Sequence, residues 1–365
     1  MKTVKVAMAG LSANKGWAAL AHIPAIQKLP EFELTALSNR TDVAAREAAK
    51  AFAVADAYTD NHQMVNSPNV DLVVVNVRVP QHKEVVELAL KAGKAVYSEW
   101  PLGKTLSETE DLARLAKSRN VKAFIGLQSR NMPEFAYIRD LVKSNELGEI
   151  QSTTLVGSGI FYGEEMPLSA TYAVDANNGI GMIFSTFGNA VDALSTVLGE
   201  FAELNATATT RRKMITVTET RERIPMTAFD QVAIQGVLQS GAVASVHYRG
   251  GTLKANNFMW EINGSKGYIL VTGDGGNPAA FGVKVQIAKS MNDALADAVI
   301  PIHYFRSELN GLPQPAVNVG HNYALIAKDL QEGTTLAPTF DDAVRRHRMI
   351  TAIEESAKTG IRHRF

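Results

Sequence analysis

The chain has 365 residues, with 37 Lys plus Arg against 37 Asp plus Glu, 46% hydrophobic and 20% charged residues, and no cysteine. That length exceeds what one hydrophobic core usually serves, so two domains are expected. The even charge balance supplies no basic field for nucleic acid or an anionic membrane, and the lack of cysteine excludes disulfides, thiolate nucleophiles and cysteine zinc sites.

The opening "MKTVKVAMAGLSA" enters a strand pattern at once, without a signal-peptide cleavage site. No stretch approaches the ~20 apolar residues of a membrane span. A cytoplasmic protein is therefore expected. Up to about residue 125, short apolar runs alternate with helical patterns. Strands are predicted at 4–9, 33–37, 71–77, 95–98 and 123–127, with helices near 18–29, 42–53, 82–92 and 107–118. Ser107 with Glu110 reads as a capping box for the last of these helices, and Gly93 as the glycine ending the third. The alternation predicts an α/β domain over residues 1–127, a Rossmann-type doubly wound parallel sheet.

Beyond residue 128 the pattern changes. A helix is predicted at 133–145, followed by Thr- and Val-rich alternating runs up to residue 273, separated by Gly-containing turns. These predict an α+β domain over 128–339 with one large open, mainly antiparallel sheet, "NGSKG" (Asn263 to Gly267) being a hairpin turn. "TTRRK" (Thr209 to Lys213) reads as a solvated strand end. Further helices are predicted at 181–197, 319–331 and 340–358, and 274–300 reads as a loop. The segment 340–365 is expected to pack its helix back toward the first domain.

Gly10 directly after the first strand, with a helix soon after, forms a strand–turn–helix that turns backbone N–H groups and a positive helix end toward a pyrophosphate. The spacing departs from G-x-G-x-x-G: Ser12 stands at the second glycine and Gly16 arrives one residue late. Gly10, Leu11, Ser12, Asn14, Lys15 and Gly16 are the expected phosphate-side residues. The second strand ends in Ser38, Asn39, Arg40 and Thr41, with no acid before Asp42. A carboxylate there would select NAD through the ribose 2′-OH; a guanidinium flanked by hydroxyls suits a 2′-phosphate. NADP(H) is the preferred cofactor, with NAD(H) as the other possibility; the bland role for Arg40 is to cover the adenine or cap the helix. Asn76 and Val77 leave the next long strand near the nicotinamide. His82 either contacts the cofactor or caps its helix.

Together with Pro80, His82, Ala92, Gly93 and Lys94 of "P-x-H…AGK-V", the Glu99-x-Pro101 turn, Arg130 of "LQSRNMP" and "GNAVDAL" (Gly188 to Leu194), these residues resemble the glucose–fructose oxidoreductase and inositol dehydrogenase (Gfo/Idh/MocA) family over nearly the whole chain. "GLSANKGWAALAHIPAI", "SEWP", "YGEEMP" and "TFGNAVDAL" are similar to its branch of the fungal galactose-regulon repressor. The resemblance implies a Rossmann domain, a C-terminal sheet covering the nicotinamide, a homo-dimer or tetramer built through that sheet, and hydride transfer on a sugar, polyol or related small molecule. It adds Glu99, Trp100, Pro101, Gln128 and Arg130 to the cofactor-binding set. It also implies a catalytic lysine in Glu-Lys-Pro and an Asp and a His spaced D-x-x-x-H. Trp100, Ser185 and Asn189 occupy those positions.

Alcohol oxidation needs a base and carbonyl reduction an acid, and neither Trp nor Asn exchanges a proton near neutrality. Two chemistries remain. Reduction of an iminium or imine needs only a hydride and a site for a cation, which the face of Trp100 stabilises by ~0.5–2 kcal/mol. Otherwise the resemblance implies that Tyr162, Tyr172, Asp175, Tyr248 or His321, in segments the family's fold brings toward the cleft, supplies the proton. Tyr172 and Asp175 are foremost because their segment precedes the substrate helix in that resemblance. The expected catalytic set is Tyr172, Asp175, Trp100 and Asn189, and no metal is expected. The reading is an NADP(H)-dependent oxidoreductase on a small carbonyl, imine or sugar-like substrate. Its rival is a catalytically silent, nucleotide-sensing regulator in which Trp100 plugs an empty pocket. Neither nucleic acid nor membrane is an expected partner.

Overall fold

The computed structural model describes residues 3–13, 16–290 and 292–365. It divides into two compact units, one of residues 1–128 and 306–347, the other of 129–305 and 348–365; the division falls inside helix Phe340–Thr359.

The first unit is built on six parallel strands, β1 (Val4–Ala9), β2 (Phe32–Ser38), β3 (Asp56–Tyr58), β4 (Leu72–Val75), β5 (Ala95–Glu99) and β6 (Ala123–Gly126). Their order is β3-β2-β1-β4-β5-β6. Helices on both faces bury β1 and β4 almost completely, which is why β4 is an unbroken apolar run and β1 one broken only by Lys5. This is the doubly wound order, and its switch point lies between β1 and β4. β3 and the short helix Asn61–Val65 have no counterpart among the predicted elements, being too short to show a period.

Three local details differ from expectation for identifiable reasons. The first helix is wound as a π turn over Ala18–His22 before Ile23–Lys28 becomes α-helical. Pro24 has no N–H to offer the carbonyl of Leu20, and the Ile23 N–H reaches back to Ala18 instead. Helix Leu106–Ser118 is capped by Thr105, whose hydroxyl accepts the Glu108 N–H, not by Ser107. "TLSETE" contains two overlapping capping frames, and the helix uses the earlier one, which starts it two residues sooner. The helix expected at 319–331 begins at Gln314 and packs on the π turn and the helix after it.

The second unit carries a nine-stranded sheet. Its strands are β7 (Ile150–Gly159), β9 (Phe201–Thr209), β12 (Gln231–Leu238), β13 (Val243–Gly250), β14 (Phe258–Gly264), β15 (Tyr268–Gly273), β16 (Lys284–Ala288), β17 (Ala296–Asp297) and β18 (His363–Arg364). The order is β17-β16-β15-β14-β7-β13-β12-β9-β18, antiparallel except where β13 meets β7. Gly264 to Gly267 close the expected β14–β15 hairpin. Strands β10 (Met214–Val217) and β11 (Arg223–Pro225) leave the broad sheet and pair with β8 (Glu165–Met166). The expected loop at 274–300 contains helix Pro278–Phe281 and two sheet strands, because "KVQIA" offers β15 a short alternating edge. Helix Thr186–Leu198 starts later than expected, after Gly179 and Gly181 at positive φ. It lies on β7 and on helix Pro133–Lys143.

Trp260 anchors this core. It is fully buried, meets Phe135 edge-on at 5.4 Å, and donates from Nε1 to Thr153 Oγ1 at 2.8 Å. Trp260→Ala is expected to destabilise the second unit by about 3–5 kcal/mol, read as a lowered midpoint in urea unfolding followed by tryptophan-independent circular dichroism.

Candidate functional site

The carboxyl edge of the parallel sheet is shaped by one close approach. Gly10 holds φ at +87°, and a Cβ there would meet the Asn76 carbonyl oxygen at 2.8 Å and Val77 Cγ1 at 2.9 Å. Only glycine lets the chain turn this tightly over the exit of β4. The loop is then pinned by Asn39, whose amide donates to Leu11 O at 2.7 Å and Ser12 Oγ at 3.2 Å, while its Oδ1 accepts the Arg40 N–H. Ser38 donates to Asn61 Oδ1 at 2.6 Å. Gly16 is exposed at φ +86°; Asn14 and Lys15 lie outside the described residues.

A cavity of about 180 Å³ opens beside this turn, lined by Gly10, Ser38, Asn39, Arg40, Val77 and Glu84 among others. It thus gathers five residues of the expected cofactor set. Thr59, Asn61, Gln81, Glu84 and Val85 also line it and were not expected. Thr59 and Asn61 follow β3, which left no periodic signal. Glu84 sits on a helix face whose ends alone were singled out.

His82 lies behind this edge, with its ring between two carbonyls: Nδ1 is 2.9 Å from Pro101 O and Nε2 2.9 Å from Val77 O. Burial lowers its pKa against the opposing pull of those carbonyls, so the ring fastens the β4 exit to the Trp100–Pro101 turn. Trp100 is 7% exposed and packs edge-on against His347, ring centroids 6.3 Å apart. Glu99 Oε1 accepts from His22 Nε2 at 3.0 Å and Gln128 Nε2 at 2.7 Å.

In the second unit, Ser185 links Tyr162 and Asn189. The Tyr162 hydroxyl is 3.0 Å from Ser185 Oγ, which in turn donates to Gly181 O at 2.8 Å. Asn189 Nδ2 donates to Ser185 O at 2.9 Å; its Oδ1 is buried without a partner among the described residues. Since a carbonyl takes the amide nitrogen, the open oxygen can only accept. Burial drives the Tyr162 pKa far up, so this phenol keeps its proton. Asp175 is exposed and caps the turn Ala176–Asn178 through Asn177 N–H, with Thr227 Oγ1 3.4 Å away. Tyr172 is half-buried in the preceding turn. Tyr248 donates to Gly276 O at 2.8 Å within the core. Arg130 closes its fork on Asp192, Nε to Oδ2 at 2.7 Å and Nη2 to Oδ1 at 2.5 Å. Among the described residues no cluster of His, Asp and Glu could hold a metal ion, and no helix is long and apolar enough to cross a membrane.

Comparison with known proteins bears on this arrangement. A family described as "Oxidoreductase family, NAD-binding Rossmann fold" matches residues 4–127, and "Gal80p, C-terminal domain" matches 133–273. Over 75% of the chain there is 29% and 31% identity to the galactose/lactose metabolism regulatory proteins GAL80 of Kluyveromyces lactis and Saccharomyces cerevisiae. The aligned stretch spans 65% and 67% of those regulators' own length. The dehydrogenase aclE of Aspergillus oryzae is 27% identical over 98% of this chain and 97% of its own. The crystal structure of a super-repressor mutant of Gal80p from Saccharomyces cerevisiae shares the fold with TM-score 0.90 at 24% identity, covering 99% of this chain and 97% of that one.

Two outcomes follow from the buried charges. Arg130→Met strands Asp192, which is fully buried, and is expected to cost about 3–5 kcal/mol in denaturant unfolding. Burial lowers His347 to about 4, and burial with the nearby Arg306 charge lowers His321 to about 4. Both bind protons more tightly when unfolded, so their neutral forms support the fold fully above pH ~6.5 and that support fades as pH falls toward 4. Melting curves between pH 7.5 and 4.5 should show this decline, on the order of 2–3 kcal/mol per histidine at most, and His347→Gln should flatten it.

Proposed function

Because the chain belongs to the glucose–fructose oxidoreductase and inositol dehydrogenase family of NAD-binding oxidoreductases, near its Gal80 branch, we infer that it is an NADP(H)-dependent oxidoreductase acting on a small carbonyl, imine or sugar-like substrate. The observation that carries this reading is Arg40 on the cavity rim directly after β2, the position that reads the ribose 2′ substituent, with no acid before Asp42. Glu84, the carboxylate of the same cavity, comes from the helix after β4 and so from the other wall.

The residues present fit a dinucleotide. The Gly10 turn passes close over the Asn76 carbonyl at the β4 exit, Asn39 holds Leu11 and Ser12 in place, and the guanidinium of Arg40 can bind a 2′-phosphate through paired, charge-assisted bonds. When bound, the nicotinamide supplies a hydride or takes one up. The open Oδ1 of Asn189 is suited to a substrate that brings its own donor, an N–H or O–H, and this favours iminium, amine or alcohol ligands over those with acceptors alone. Assembly as a dimer or tetramer through the open face of the nine-stranded sheet belongs to the same reading, supported by the cross-strand neighbours Val237 and Val243, the latter largely exposed.

One observation favours a second reading, a catalytically silent regulator that senses nucleotide. The Tyr162, Ser185 and Asn189 cluster contains no group that titrates near neutrality, and relatives of similar sequence are named as regulatory proteins.

Calorimetric titration with NADPH and NADH tests the cofactor. A preference for NADPH is expected, and Arg40→Ala should reduce it by about 10–100-fold without weakening NADH, as loss of a charge-assisted phosphate contact requires. Equal affinity for both nucleotides in the wild type would refute the NADP(H) assignment. Turnover on a panel of aldehydes, ketones, cyclic imines and sugars then separates the two readings: NADPH held tightly but never oxidised supports the regulator.

A further inference from the structure

The family's lysine is replaced by Trp100, which is buried against His347, yet the turn it occupies retains one ionisable group. Glu99 ends β5 at the carboxyl edge of the sheet. Its side chain is 16% exposed, while His22 beside it is fully buried. Both hydrogen bonds to Glu99, from His22 Nε2 and Gln128 Nε2, end on Oε1. Among the described residues Oε2 has no partner, and Glu99 meets no lysine or arginine.

The group behind it is built to hold one orientation. His22 Nδ1 lies 2.9 Å from the hydroxyl of Tyr323, whose pKa burial raises well above its ordinary range. Tyr323 therefore keeps its proton and donates it to Nδ1, which fixes the imidazole as the Nε2–H tautomer that donates to Glu99. Tyr97 faces His22 at 5.5 Å and takes hydrogen bonds from Asn322 and Gln128, so every polar neighbour of the carboxylate is itself occupied. His82, on the opposite side, senses the Glu99 charge without touching it.

Position along the sheet says what Oε2 meets. On the dinucleotide reading, the cavity lined by Gly10, Ser38 and Arg40 would take the adenosine half. With the pyrophosphate at the switch point, the other half extends over β4 and β5. We propose that Glu99, oriented by His22 and Gln128, is the carboxylate that faces the nicotinamide end of the site and there exchanges the substrate proton at Oε2, in place of the missing lysine. This rests on the dinucleotide reading above. When an alcohol or amine is oxidised, its hydride passes to the oxidised nicotinamide and its O–H or N–H proton to Oε2. The carboxylate becomes a carboxylic acid and returns the proton to solvent through its exposed edge; reduction runs the same path backward. His22 is a positioning residue.

The test uses a charge difference independent of turnover. Oxidised nicotinamide is cationic and reduced nicotinamide is neutral, so a facing carboxylate favours NADP⁺. The full chain and its Glu99→Gln and His22→Gln variants are titrated with NADP⁺ and NADPH by calorimetry at neutral pH, alongside melting curves. Glu99→Gln keeps an acceptor for His22 and Gln128 but removes the charge. It is expected to weaken NADP⁺ by about tenfold while leaving NADPH within about twofold. His22→Gln, which frees the carboxylate to turn, should weaken NADP⁺ by a smaller factor and leave NADPH within about twofold. Unchanged binding of both nucleotides in Glu99→Gln, or an equal loss of both with a lower melting temperature, would overturn the proposal and leave the dinucleotide reading standing. Binding of neither nucleotide by the wild type would instead remove the dinucleotide reading, and this one with it.

Discussion

One buried hydrogen-bonded chain, Tyr323 to His22 to Glu99 with Gln128 at its side, holds the carboxyl edge of the first unit together. It links the π turn after β1, the end of β5, the segment after β6 and the long helix Gln314–Gln331. His22 has a partner on each ring nitrogen where water barely reaches, and an unmet donor or acceptor there would cost more than any one of the bonds contributes. The constraint explains the unusual winding of Ala18–His22. Pro24 prevents a regular α-helical turn, and the wider turn carries His22 into the core.

The same edge shows what became of the proton-handling position. A tryptophan cannot exchange a proton, and this one is packed against His347 instead of standing open. Burial favours the packing role of Trp100 over a role as a cation platform. In the second unit the replacements are likewise neutral: Ser185 bonds Gly181 and Tyr162, and Asn189 bonds the Ser185 carbonyl. What remains is a polar but uncharged cluster with one unsatisfied oxygen, a site suited to orienting a ligand by its donors rather than to taking its proton.

Much of the first unit was legible because its signals are local. Apolar runs of four to six residues cannot be solvated, and Gly10, Gly93 and the stretch after β2 mark turns through backbone or side-chain chemistry that depends on near neighbours. Elements too short to hold a clear period were not legible: β3, the helix Asn61–Val65 and, in the second unit, β16 and β17. The three strands join a sheet because a neighbouring strand presents a free edge. For this reason Thr59 and Asn61 were absent from the expected cavity lining. Arg130 and Asp175 were singled out through the family resemblance, and their observed partners are Asp192 and a capped turn, a pairing no spacing rule predicts.

By itself the sequence determined the α/β order of the first unit, the antiparallel character of the second, the glycine turn after β1 and the absence of the lysine, aspartate and histidine. The first three follow from residue type and short-range periodicity, the last from the resemblance to the family's motifs. Only the tertiary structure decided which polar side chains are satisfied and which remain open. Asn189 Oδ1, the two bonds on Glu99 Oε1 and the ring of His82 between two carbonyls all depend on atoms brought together from distant parts of the chain. Hydrogen bonding is a matter of tenths of an ångström between such atoms, and composition and spacing carry no measure of that distance.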